Sequence, residues 1–178
     1  LRPGQRVVLQ QNNSLQFALN LVGLLRAGVV PVMTLPAHRI TEIAHLAVGS
    51  GAIAYITEDG RRSYDFRELA AELQSRVPTV ERVFVSGDPG PYTPVPDADP
   101  ASVTLPPAPD PELPALFLIS GGTTGLPKLI ARTHNDYDLN ARLSAQVAKL
   151  TAGDTYLVSL PAAHNFPLCC PGILGTFG

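Results

Sequence analysis

The stretch Leu116-Phe-Leu-Ile-Ser-Gly-Gly-Thr-Thr-Gly-Leu-Pro-Lys128 joins a short apolar run to a loop of glycines and hydroxyls. Leu116–Ile119 reads as a buried strand, because a continuous apolar run this short, followed by glycines, does not make a helix. In the loop, Gly121, Gly122 and Gly125 let the backbone adopt positive φ and approach a ligand closely. Ser120, Thr123 and Thr124 supply hydroxyls, and Lys128 supplies a point charge. Successive exposed backbone N–H groups with such side chains form an anion-binding concavity. On composition alone this is equally a surface turn rich in Gly and Thr. Its place directly after a hydrophobic strand favours the phosphate reading, since α/β folds present phosphate sites there. It is not a Walker A loop: Leu126 and Pro127 separate the last glycine from Lys128, and Leu129 follows the lysine. It is not the dinucleotide fingerprint either.

Reading outward, strand and helix alternate along the chain. Upstream, Gln5–Gln10, Val29–Thr34, Ala52–Ile56 and Arg82–Ser86 read as strands, with Pro31 an objection to the second. Between them Ser14–Arg26 reads as a helix closed at Gly28. Thr41–Val48 reads as a helix closed at Gly49. A third helix starts at the N-cap Asp65, with Glu68 completing a capping box, and runs to about Arg76. Ten of the 27 positions 88–114 are proline, which predicts a surface excursion rather than regular structure. Downstream, Thr133–Leu150 reads as a helix, Thr155–Leu160 as a strand, and Phe166–Gly178 as a loop leading into a helix. This order predicts an α/β fold, a layered and largely parallel sheet flanked by helices. Ligands then bind at the carboxyl ends of strands. The segments Ser120–Lys128 and His164–Gly172 each follow a predicted strand, so both are expected on one edge of the sheet.

Composition narrows the class. The chain has 178 residues, 45% of them hydrophobic, and a formal net charge of −2. That is enough for one domain with a sizeable core. The charge balance lacks the Lys and Arg clustering that nucleic acid requires. No apolar run is long enough to span a bilayer as a helix. The cysteines, Cys169 and Cys170, are adjacent, which suits neither a disulfide framework nor a zinc site. Reduced thiols in the cytoplasm are the plain expectation. The start at Leu1, with Arg-Pro-Gly reading as a loop entering a strand, points to a cut segment.

The run Pro161-Ala-Ala-His-Asn-Phe-Pro-Leu-Cys-Cys-Pro-Gly172 brings an imidazole, an amide and thiols among apolar groups. A pocket for an aromatic acid wants that mixture. Asn165 both donates and accepts, so it suits an ortho-hydroxyl beside a carboxylate. Taken singly, His164 is as readily a hydrogen-bonded structural histidine, and the cysteines are small buried hydrophobes.

The loop Ser120–Lys128 resembles the signature loop of the adenylate-forming superfamily, usually Ser-Gly-Thr-Thr-Gly-x-Pro-Lys-Gly. The extra glycine, Leu129 and the following Ile-Ala-Arg-Thr-His are similar to the branch that activates salicylate or 2,3-dihydroxybenzoate for siderophore assembly. The resemblance implies that Ser120, Gly121, Gly122, Thr123, Thr124, Gly125 and Lys128 hold the β- and γ-phosphates of ATP. It implies that His164 sits at the mouth of the acid pocket and that Asn165 meets the ortho-hydroxyl. Phe166 would lie on the acid side and Cys170 on the pocket floor. A thiol satisfies a 3-hydroxyl poorly, which tilts the expected acid towards salicylate. Mg²⁺ would arrive with the triphosphate, and the acceptor would be the phosphopantetheine thiol of an aryl carrier protein or peptide synthetase. A coenzyme A ligase of the same superfamily and a non-catalytic nucleotide-binding segment are the competing readings.

The resemblance covers positions 1–178 as an incomplete N-terminal domain. The family's Tyr-Gly-x-Thr-Glu and Thr-Gly-Asp segments, its hinge and its C-terminal domain with the catalytic lysine have no counterpart here. No catalytic residue is therefore expected within these 178 residues, and Lys128 is not that lysine. The isolated segment should give no ATP–pyrophosphate exchange above background with any aryl acid, and measurable exchange would contradict this assignment.

Overall fold

A computed structural model describes residues 1–60, 64–97, 100–120 and 125–177. Its strands are Arg6–Leu9 (β1), Val30–Met33 (β2), Ala54–Glu58 (β3), Arg82–Ser86 (β4), Thr93–Pro94 (β5), Pro114–Ile119 (β6) and Leu129–Thr133 (β7). Its helices are Leu15–Arg26 (α1), Ile40–Ser50 (α2), Phe66–Arg76 (α3), His134–Ala148 (α4), Asn165–Cys169 (α5) and Gly172–Gly175 (α6).

Among the described residues the strands form a seven-stranded sheet in the order β5-β4-β3-β1-β2-β6-β7. Every pairing is parallel except β6 with β7. Alternate side chains along each strand enter different cores. Val7, Leu9, Met33, Ala54, Ile56, Leu116 and Leu118 pack with α1 and α4. Val8, Val32, Tyr55, Val83 and Val85 pack with α2 and α3. The result is the predicted layered α/β fold, with helices on both faces of a largely parallel sheet.

Local chemistry sets the boundaries. Ser14 is extended at the head of α1, and its hydroxyl accepts from Phe17 N at 3.0 Å. Phe17, Leu21 and Leu24 then share one buried face. The helix stops at Gly28, whose φ of 67° suits glycine; Gly28 N donates to Leu25 O and Val29 N to Leu24 O. Helix α2 runs past Gly49 to Ser50, and Gly51 is the residue that turns left-handed. Asp65 caps α3 as expected, but it accepts from Arg67 N and also binds the Arg67 guanidinium. The reciprocal bond from Glu68 that a capping box needs is not formed among the described residues.

Pro31 sits within a central strand without breaking it. Val30 N donates to Gln5 O, just before β1, and Thr34 N to Leu9 O on β1. Pro31 is one residue out of phase, so its missing N–H falls on the β6 side. There the paired register is Val32 with Phe117 alone.

Three expectations change. Residues 155–160 are not a strand. Leu157 and Leu160 are exposed rather than buried, and the Val158 and Leu160 carbonyls accept from a side chain instead of a ladder. Leu129–Thr133, to which the sequence assigns no strand, is an antiparallel edge strand of mixed exposure. The proline-rich stretch 88–114 contains the two-residue β5, a 3₁₀ turn at Pro100–Ser102 and the first residue of β6.

Beyond the sheet's carboxyl edge, polar side chains are buried and matched. Gln10 is fully buried. Its Nε2 donates to Leu35 O and His38 O, and its Oε1 accepts from the Tyr55 hydroxyl at 2.6 Å. Burial holds the Tyr55 phenol well above its usual pKa, so it stays protonated. Replacing Tyr55 with Phe leaves Gln10 Oε1 buried without that donor. The variant should lose about 1–3 kcal/mol, read as a lower urea midpoint at unchanged slope; an unmoved midpoint would refute the assigned bond.

Candidate functional site

The glycine-rich loop leaves the sheet at Ser120, the residue after β6, and rejoins it at Leu129, the first residue of β7. Two hydrogen bonds close its mouth: Ser120 N donates to Lys128 O at 2.9 Å, and Lys128 N donates to Ser120 Oγ at 3.0 Å. From α2, His45 Nε2 lies 3.1 Å from Pro127 O. Gly125 has φ 121°, where a side chain would be strained. Gly125 and Lys128 are exposed and Ser120 is half-buried. The expected Gly121, Gly122, Thr123 and Thr124 lie outside the described residues. Among the described residues no group of three or more His, Cys, Asp or Glu side chains is placed to hold a metal ion.

The second segment reaches the same edge by another route. Asn13 stands just past the carboxyl end of β1, before α1. Its Nδ2 donates to Val158 O at 3.2 Å and Leu160 O at 2.7 Å, and its Oδ1 accepts from Ala162 N at 2.7 Å. One side chain thus ties residues 158–162 to the sheet where a strand had been expected. Ala162, Ala163, Leu168 and Cys169 then bury into the α1–α4 core.

His164 is exposed and caps α5, its Nδ1 accepting from Phe166 N at 3.4 Å. Asn165 is half-buried. Its Oδ1 accepts from the Tyr137 hydroxyl at 3.0 Å, and its Nδ2 faces Cys170 Sγ at 3.8 Å. Asn140, also on α4, donates to Cys169 O at 2.8 Å and points at Cys170 Sγ at 3.7 Å. Phe166 is 56% exposed. Gly172 closes the turn after α5: its φ is 57°, and a Cβ there would lie 2.3 Å from Pro167 O. Cys170 and Pro171 also border an open cleft of about 340 Å³ walled by Leu143, Val147 and Ala148.

Burial separates the two thiols, for Cys170 is only half-buried. Cys169 is fully buried, and burial pushes its pKa up. Its Sγ donates to Tyr137 O at 3.4 Å. Burial likewise keeps the Tyr137 phenol protonated. The Arg132 guanidinium, bound to the Asp136 carboxylate, lies 5.1 Å from the Tyr137 ring centroid.

Three contributors escape sequence reading: Asn13, Tyr137 and Asn140. The last two lie on one face of α4 in a stretch that reads as ordinary amphipathic helix. Asn13 follows Gln10-Gln11-Asn12, an amide run whose density was the available signal.

A family model described as AMP-binding enzyme matches residues 1–177. A salicyl-AMP ligase / salicyl-S-ArCP synthetase of Mycobacterium tuberculosis is 51% identical over 177 residues, covering 98% of this chain and 31% of that protein. The vibriobactin-specific 2,3-dihydroxybenzoate-AMP ligase of Vibrio cholerae is 43% identical, over 98% of this chain and 33% of its own. The apo structure of MbtA from Mycobacterium smegmatis superposes with a TM-score of 0.90 at 52% identity, covering 98% of this chain and 33% of that one. The chain therefore spans about a third of the length of the curated relatives it matches.

Two outcomes follow from the geometry. Asn13→Ala should speed amide exchange across residues 158–165 by roughly tenfold, the effect of about 1–2 kcal/mol of lost local hydrogen bonding. Strands β1 and β3 should stay protected, and an unchanged 158–165 profile would remove Asn13 from its assigned role. Iodoacetamide followed by peptide mapping should label Cys170 well before Cys169; the reverse order would contradict the burial described.

Proposed function

Since this chain belongs to the AMP-binding enzyme family, we propose that, within a protein of its relatives' length, it forms part of the large N-terminal domain of an aryl-acid AMP ligase. The protein activates an ortho-hydroxybenzoic acid, with salicylate favoured over 2,3-dihydroxybenzoate. The observation that carries this reading is the cluster of Asn165, Tyr137 and Cys170, an oriented amide and a thiol beside apolar packing. It is supported by the 51% identity to a salicyl-AMP ligase.

The reaction has two steps. The acid's carboxylate oxygen attacks the α-phosphorus of ATP, and pyrophosphate leaves. The thiol of a carrier protein's phosphopantetheine arm then attacks the acyl carbon, and AMP leaves. The loop from Ser120 to Lys128 binds the β- and γ-phosphates through backbone N–H groups, hydroxyls and the Lys128 ammonium. Its exposed Lys128 and its hydrogen-bonded mouth fit that task. Mg²⁺, when bound with the triphosphate, would supply charge neutralisation there. His164 lies at the pocket entrance, Asn165 binds the ortho-hydroxyl, Phe166 lies on the acid side and Cys170 forms the floor. Such chemistry belongs to siderophore assembly in the cytoplasm.

In the full-length protein, salicylate should support ATP–pyrophosphate exchange with kcat/KM at least about tenfold above benzoate, because a site built to bind a hydroxyl rejects the analogue lacking it. Equal values would sink the ortho-hydroxyl assignment. A tenfold preference for 2,3-dihydroxybenzoate would overturn the choice of salicylate. Lys128→Ala should raise the KM for ATP several-fold more than that for the acid.

A further inference from the structure

Tyr137 has no part in the chemistry above, yet it touches the group that reads the acid. Its ring is buried on α4, and its hydroxyl donates to Asn165 Oδ1 at 3.0 Å. The two ends of an amide side chain are nearly the same size, so its orientation is set by hydrogen bonds and not by shape. Were Asn165 turned over, its Nδ2 would face the phenol oxygen, and the buried phenol proton would lose its acceptor. Leaving such a group unsatisfied is costly. The partners at the other end agree. Asn165 Nδ2 points towards Cys170 Sγ at 3.8 Å, a soft acceptor that Asn140 Nδ2 also approaches at 3.7 Å. Nδ2 carries two hydrogens, and the sulfur engages one of them.

We propose that Tyr137 is a positioning residue that sets the polarity of the acid pocket, fixing Asn165 so that an N–H donor meets the substituent ortho to the carboxylate. This rests on the aryl-acid reading above. A phenolic oxygen accepts from that N–H. A ring amine does not, because its lone pair is delocalised into the ring and it presents mainly N–H donors. The pocket thereby prefers 2-hydroxybenzoate to 2-aminobenzoate, two acids of nearly the same shape.

The test compares salicylate with anthranilate in ATP–pyrophosphate exchange by the full-length protein. The wild type should favour salicylate. Tyr137→Phe keeps the ring beneath Arg132 but frees the amide to turn. The ratio of kcat/KM for salicylate to that for anthranilate should fall about tenfold or more, mainly through KM. A folded Tyr137→Phe protein with the wild-type ratio overturns the inference. Where that variant melts early, Asn165→Asp gives the second readout: it presents only acceptors and should lower the same ratio. A ratio maintained by Asn165→Asp likewise overturns the inference. A wild type inert towards both acids overturns the functional reading and this inference with it, whereas a wild type active on salicylate with an unmoved variant ratio overturns the inference alone.

Discussion

Four amides in a row, Gln10-Gln11-Asn12-Asn13, hold the carboxyl edge of the sheet together. Strand β1 lies at the centre, buried on both faces with a neighbour on each side, so the chain leaving it emerges among the ends of other strands. Those ends carry carbonyls and polar side chains that need partners away from water. Gln10 serves the turn after β2 and the Tyr55 hydroxyl. Gln11 donates to Thr57 O at 3.1 Å and Ser86 Oγ at 2.8 Å, which ties β1 to β3 and β4. Its Oε1 accepts from Asn20 on α1 at 2.9 Å. Asn12 binds the Glu58 carboxylate through both its backbone and its side chain. Asn13 takes the 158–162 segment. Three of the four reach β3 and each adds at least one further bond or element, so a short stretch of chain fixes the relative positions of β2, β3, β4, α1 and the segment 158–162. Among the described residues no buried side-chain nitrogen or oxygen is left unmatched.

The strand and helix pattern was legible where burial and capping act locally. The runs in β1, β3, β4 and β6 are apolar because both faces of a parallel sheet are covered, and such runs stand out in sequence. Ser14, Gly28 and Asp65 mark helix ends through bonds to residues two or three positions away. What failed to read depends on distant partners. Residues 155–160 have the composition of a strand, but their carbonyls at Val158 and Leu160 are taken by the distant Asn13 side chain. Leu129–Thr133 has weak strand character and forms because β6 presents an open antiparallel edge. Pro31 looks disruptive until the phase of the ladder is known.

The site divides along the same line. The glycines, hydroxyls and lysine of the loop are contiguous, so the residues that close its mouth could be read from one segment. The run Pro161–Gly172 gave His164, Asn165 and Cys170 but not what orients them. Tyr137 and Asn140 precede Asn165 by 28 and 25 positions, and Asn13 lies 149 positions before Ala162. No local pattern reports pairings of that length. His164 and Phe166 were conspicuous by type; His164 caps α5 and Phe166 is exposed.

The two segments are attached to the sheet by different means. The glycine-rich loop has both its ends, Ser120 and Lys128, fixed by backbone pairing that continues the β6–β7 ladder, whatever side chains those strands carry. The segment 158–170 has no ladder. It depends on side-chain hydrogen bonds from Asn13, Tyr137 and Asn140 and on the burial of a few small apolar residues. A fold built this way holds the ends of the loop through backbone alone, while single substitutions on α1's approach and on α4 can rearrange the second segment. The placing of Asn165 and Cys170 is thus decided by residues outside their own segment as much as within it.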